Sequence, residues 1–104
     1  MVQVRVTVLN DPGLHTRPAG MLAGLAARFR SRITLSDGNE QEVDAKSIMG
    51  ILMLAAITGT QLIIRAEGSD EERAVKALSR LIEARFDDKV LEEEKTRALE
   101  EAAG

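Results

Sequence analysis

The chain has no cysteine, no tryptophan and no tyrosine, and only one histidine and two phenylalanines among its 104 residues. The missing cysteines exclude disulfides, thiolate chemistry and cysteine-based zinc or iron–sulfur centres. A lone histidine excludes a histidine-cluster metal site within one chain. Binding single-stranded nucleic acid by base stacking needs aromatic platforms that are scarce here. Formal charge is −3, from 14 Lys and Arg against 17 Asp and Glu, so the broad basic footprint of a DNA-binding protein is also absent. No stretch approaches the about 18 apolar residues of a membrane helix. Met1–Val8 lacks the basic and apolar blocks of a secretory leader. The expectation is a soluble, cytoplasmic protein of one domain, with no metal or cofactor and no membrane insertion.

What is present is strongly patterned. Val2, Val4, Val6 and Val8 alternate with Gln3, Arg5 and Thr7, the period of a half-buried strand. Asn10-Asp11-Pro12-Gly13 breaks that strand with turn residues. Pro18, Met21, Leu22, Leu25 and Phe29 follow at helical spacing, and Pro18 suits a first helical position. The first helix should therefore run from near Thr16–Pro18 to near Arg30. Ile33 and Leu35 mark a second strand, Asp37-Gly38 a hairpin turn, and Glu40–Val43 a third strand. Ser47 can cap a short helix over Ile48–Ala55. Leu62–Ala66 reads as a central strand. Ser69 and Glu72 have the spacing of a capping box before a long amphipathic helix carrying Val75, Leu78, Ile82 and Phe86. The order β-α-β-β-α-β-α, with short connections and one hairpin, predicts an α+β fold in which helices cover one face of an antiparallel sheet. Residues 87–104 are different: seven acids, three bases and few large apolar side chains. They predict a helical or frayed extension. It is either solvated or docked through Val90 and Leu91 on a neighbour or on the sheet.

Two constellations could carry chemistry. In Gly13-Leu14-His15-Thr16-Arg17-Pro18-Ala19 the lone histidine ends a turn just before a helix begins. Free backbone N–H groups and the positive end of a helix dipole favour an anion there. Arg17 adds a guanidinium suited to phosphate oxygens, and imidazole is a nucleophile for covalent catalysis. These parts fit a histidine that accepts and releases a phosphoryl group. The spacing by itself also fits a surface histidine that caps the helix. Residues 1–32 hold Arg5, Arg17, Arg28, Arg30 and Arg32 against one acid, Asp11, a local charge of +4. Such a field would draw an anionic substrate or acidic partner.

The second constellation is Lys46-Ser47-Ile48-Met49-Gly50-Ile51-Leu52-Met53-Leu54, apolar nearly all round. Either both faces are buried or one is an exposed docking patch, for which methionine is well suited. Ser47 is a cap and also a position where added phosphate would meet the helix dipole. Gly20, Gly24 and Ala27 form a stripe of small residues on the first helix. That stripe marks a tight crossing inside the protein or close approach by a partner.

These two motifs resemble those of HPr, the histidine-containing phosphocarrier family of the bacterial phosphoenolpyruvate:sugar phosphotransferase system. Residues 13–19 are similar to its active-site motif and residues 46–50 to its regulatory serine motif. The motifs stand at nearly the family spacing, with a hairpin, Ser36–Glu42, one residue longer than usual, and the element order matches over roughly residues 2–86. The resemblance implies an open-faced β-sandwich and a domain of residues 1–86 followed by a charged extension, 87–104. It implies that Nδ1 of His15 takes a phosphoryl group from phosphorylated enzyme I and passes it to the A domain of a sugar-specific enzyme II. Thr16, Arg17, Pro18 and Ala19 would hold the phosphate. Ser47 would be the target of HPr kinase/phosphorylase and could recruit a transcriptional regulator. Thr16, Gly20, Gly24, Ala27, Ile48, Met49, Leu52 and Met53 would form the docking patch, leaving Ile51 and Leu54 for the core. Such a carrier acts as a phosphorylated intermediate, not a stand-alone catalyst, and is expected to be a monomer. A mainly regulatory module acting through Ser47, or a carrier in a nitrogen or glycerone-kinase branch, are the other functions compatible with the motifs. Thr16 stands where the family commonly has alanine. Gly24 and Ala27 replace residues that are basic in some members, which makes the expected docking face more apolar.

Overall fold

The computed structural model describes residues 1–103. It contains strands β1 (Val2–Thr7), β2 (Arg32–Ser36), β3 (Glu42–Asp44) and β4 (Gln61–Glu67). The helices are α1 (Thr16–Ala26), α2 (Ile48–Leu54), α3 (Glu71–Glu83) and α4 (Asp88–Ala103). The sheet order is β1-β4-β2-β3, all antiparallel. Val2, Val4 and Val6 pair with Ala66, Ile64 and Leu62, while Ile33 and Leu35 lie opposite Ala66 and Ile64. These residues share one face because alternate side chains of a strand point the same way. Helices α1 and α3 supply Leu22, Leu25, Leu78, Leu81 and Ile82 to the core they cover. The outer face carries Gln3, Arg5, Thr34 and Arg65. This is the antiparallel sheet with helices on one face that the sequence pattern predicts, and the open-faced sandwich that the resemblance implies.

Several boundaries differ from expectation. Helix α1 stops at Ala26, not Arg30. Arg28 and Phe29 close the end with N–H bonds to Leu25 and Ala26, and Phe29 folds into the core. The chain must leave the helix there because the N–H groups of Arg30 and Ser31 donate to the Asp70 carboxylate, at 2.8 and 3.0 Å. Strand β3 starts two residues late, at Glu42, because the hairpin turn extends beyond Gly38 (φ +89°), with Asn39 N–H bonded to Asp37.

Asp70, and not Ser69, opens α3, and Glu71 rather than Glu72 turns back to accept the Gly68 N–H. The Asp70 side chain serves the distant Arg30–Ser31 turn instead of its own helix, accepting also from Ser31 Oγ at 2.5 Å. Burial acts to raise the Asp70 carboxyl pKa. The Ser31 hydroxyl and the backbone N–H groups of Arg30, Ser31 and Asp70 itself outweigh it and hold the group below the ordinary carboxylate value. Between the folded and unfolded pKa values the folded chain therefore binds fewer protons. The stabilisation is complete above the unfolded value near pH 4 and lost as pH falls through the folded one. Asp70→Asn should lower stability by about 2 kcal/mol at neutral pH in urea unfolding. The gap from the unmodified protein should narrow as pH falls below about 4.

The extension is a docked helix. Arg85 and Phe86, at φ 56° and 59°, reverse the chain after α3, and the buried Phe86 ring anchors the turn. The Asp87 carboxylate then accepts from the N–H groups of Lys89 and Val90. Leu91 and Ala98 are buried in the packing of α4 against α1 and α3. Between them Glu94, 3% exposed, is bonded by Arg80 at 2.5 Å and Arg97 at 3.2 Å. The extension thus docks on the helical layer, not on the sheet, and Val90 is only half-buried.

Candidate active site

The segment after β1 is tied to the segment before β4. Val8 exchanges backbone bonds with Gly59 and Thr60, and Leu14 N–H donates to the Ala56 carbonyl at 2.9 Å. Asn10 Nδ2 donates to the Gly13 carbonyl, and Thr58 Oγ1 donates to that of Asn10, both at 2.7 Å. Gly13 forms a bridge with Ile57 and has φ +123°, a value L side chains rarely adopt. A Cβ there would strike the Ala56 carbonyl oxygen and lie 2.8 Å from Ile57 Cα. Only glycine allows the two segments to meet so closely. That contact sets the entry into α1.

His15 is the residue before α1, in extended conformation (φ −101°, ψ −166°). Its side chain makes no capping bond, so the capping alternative fails. The residue is exposed. Its own carbonyl accepts the Ala19 N–H at 2.9 Å. Pro18 has no N–H, and both Pro18 and Ala19 are buried. The first-turn donors left for a ligand are therefore the N–H groups of Thr16 and Arg17. No acid lies in this first turn. The Arg17 guanidinium is 68% exposed and bonds Asp88 of α4 at 2.6 Å.

The +4 field does not converge on the histidine. Of the five arginines only Arg17 stands beside it. Arg28 and Arg30 follow the far end of α1, roughly 15 Å along the axis at 1.5 Å per residue, Arg5 lies on the outer face of the sheet, and Arg32 begins β2. Linear clustering overstated the local charge because a helix carries its two ends apart.

Ser47 caps α2, its Oγ accepting the Gly50 N–H at 3.0 Å. Ile51 and Leu54 are buried, Leu52 is half-buried, and Ile48, Met49 and Met53 are exposed, the two methionines by 69% and 64%. Thr16, Gly24 and Ala27 are exposed and Gly20 half-buried. A Cβ on either glycine would meet nothing within 4 Å, so the small stripe is open surface and not an internal crossing. The structure adds Ile57, 67% exposed, in the segment that bridges Gly13. An isolated apolar residue in a turn carries no periodic signal, and only the bridge places it near His15. The described residues include no group of three or more potential metal ligands, and no helix among them is long and apolar enough to cross a membrane.

A family model described as "PTS HPr component phosphorylation site" matches residues 2–84. The chain belongs to the HPr family. The phosphocarrier protein HPr of Xylella fastidiosa strain Temecula1 is 44% identical over 88 residues, 85% of this chain and 98% of that one. A crystal structure of HPr from Thermoanaerobacter tengcongensis superposes with a TM-score of 0.79 at 43% identity, covering 83% and 96% of the two chains. An HPr dimer from the same organism gives 0.66 at 42% identity, covering 84% and 99%. HPr membership makes the chain a phosphocarrier of the phosphotransferase system, with that system's components as partners. The HPr match ends at residue 84, before α4 begins.

Proposed function

We propose that His15 is the phosphoryl acceptor, loaded by phosphorylated enzyme I, whose own donor is phosphoenolpyruvate, and unloaded by the A domain of a sugar-specific enzyme II. The observation that carries this reading is an exposed histidine at the N-cap of α1, immediately before the open N–H groups of Thr16 and Arg17, whose side chain makes no capping bond. In loading, the lone pair of Nδ1 forms a bond to phosphorus as the bond from phosphorus to the donor breaks, and the donor keeps that electron pair. Unloading reverses the roles. The Arg17 guanidinium and the two N–H groups would neutralise the phosphoryl oxygens. Buried Pro18 and Ala19 hold the first turn rigid beneath them. The remaining catalytic groups come from each partner, so the chain does not turn over phosphoenolpyruvate by itself.

Docking would use Thr16, Gly20, Gly24 and Ala27 on α1 with Ile48, Met49, Leu52 and Met53 on α2, a surface supported by the exposed methionines and the open glycine stripe. The carrier would act as a monomer. Ser47 is the candidate for regulatory phosphorylation by HPr kinase/phosphorylase, with a transcriptional regulator as the reader of that mark. Residues 1–86 would form the carrier domain and 87–104 its extension. The test is incubation of the chain with enzyme I and phosphoenolpyruvate, followed by intact-mass spectrometry. One acid-labile phosphoryl group per chain is expected. No modification by several competent enzyme I proteins would overturn the reading.

A further inference from the structure

Asp88 lies beyond the family match, in the first turn of α4, yet its Oδ1 is 2.6 Å from Nη2 of Arg17, 71 positions away in sequence. Arg17 forms no ion pair with any other acid among the described residues. The carboxylate is delivered by an anchored element. Asp87 accepts the first N–H groups of α4, Leu91 and Ala98 are buried, and Glu94 is clamped by Arg80 and Arg97. A side chain on so fixed a helix spends little conformational freedom in making the pair, unlike one on a loose terminus. Arg17 also follows the exposed His15 by two positions, in the first turn of α1.

We propose that Asp88 is a positioning residue of the phosphoryl site. It holds the Arg17 guanidinium while His15 is unmodified, and yields it in part to the phosphoryl oxygens once His15 is loaded. This rests on the carrier reading of His15. A phosphoryl group on His15 carries more negative charge than a carboxylate and offers three acceptor oxygens, so it competes for the same N–H donors. Competition works in both directions. Asp88 lowers the affinity of the site for the phosphoryl group, and loading of His15 loosens the start of α4 by the same factor. Both side chains are exposed, at 68% and 70%, so the factor is about two- to five-fold and shrinks with salt.

The experiment compares the full chain with its Asp88→Asn and Asp88→Glu variants. Each is equilibrated with enzyme I at fixed ratios of phosphoenolpyruvate to pyruvate, and the loaded fraction is read by mass spectrometry. In parallel, the Arg17 Nε–H resonance and the amides of residues 87–91 are followed by NMR in the unmodified and loaded forms. Asp88→Asn should raise the loading equilibrium constant about two- to five-fold. It should also shift the Arg17 resonance in the unmodified protein and abolish the response of residues 87–91 to loading. Asp88→Glu should behave like the parent. Equal loading by the parent and Asp88→Asn, or an Arg17 resonance indifferent to the substitution, overturns the proposal. A parent chain that takes no phosphoryl group refutes the carrier reading and the loading part together, while the Arg17 resonance still decides the pair.

Discussion

His15→Gln is expected to abolish phosphoryl transfer from enzyme I while leaving the protein folded. Glutamine keeps a polar side chain of similar reach but has no nucleophilic ring nitrogen. The His15 side chain is exposed and makes no capping bond, so its loss leaves the helix start and the core intact. Stability in urea should stay within about 0.5 kcal/mol of the parent. Intact-mass spectrometry after incubation with enzyme I and phosphoenolpyruvate should show no phosphorylated species. An acid-labile phosphate persisting on the variant would place the acceptor elsewhere in the chain.

The second large effect should come from Gly13→Ala, a change of one methyl group two residues from His15. Two penalties act together. Alanine at φ +123° is strained whatever the space around it. The new Cβ would also be driven into the Ala56 carbonyl and the Ile57 backbone. Backbone atoms cannot swing aside as a side-chain tip can, so the two segments must separate. The bonds from Leu14 to Ala56 and from Asn10 to Gly13 would strain with them. A loss of about 2–4 kcal/mol is expected in urea unfolding. Because the same contact aims His15, the rate of loading by enzyme I should fall at least about ten-fold in protein that remains folded. Gly38→Ala is the matching control. Gly38 also has positive φ (+89°), but a Cβ there meets nothing within 4 Å. It should cost about 1 kcal/mol and leave loading unchanged. Equal losses of stability and loading rate in the two variants would show that the Gly13 approach does not position the site.

The strands were legible because alternation of Val2, Val4, Val6 and Val8 leaves one burial pattern open to them. The setting of His15, the proposed acceptor, was legible too. A single histidine two residues before Arg17 and three before Pro18 is a local arrangement, and the start of a helix is set by local chemistry. The same holds for Ser47, whose cap bond reaches only three residues ahead.

The end of α1 was not legible, because the donors released at Arg30 and Ser31 are satisfied by Asp70, 40 and 39 positions on. The same distant demand takes the Asp70 side chain away from its own helix and leaves the expected Ser69–Glu72 capping box unformed. Periodicity alone left the face of α2 that carries Met49 and Met53 unresolved, since an all-apolar helix has no polar side to orient it. Burial of Ile51 and Leu54 makes that choice.

Charge shows the division most clearly. Counting along the chain assigns +4 to residues 1–32 and −4 to residues 87–104, as if one end attracted anions and the other merely stayed in solvent. Folding sends four of the five arginines elsewhere and brings Asp88 to the fifth. The local code therefore named the proposed acceptor, the starts of α1 and α2 and the strand faces, because each depends on a few neighbouring residues. The partner of Arg17, the stop of α1 and the seat of α4 depend on contacts between positions far apart in the chain, and only the packed structure could decide them.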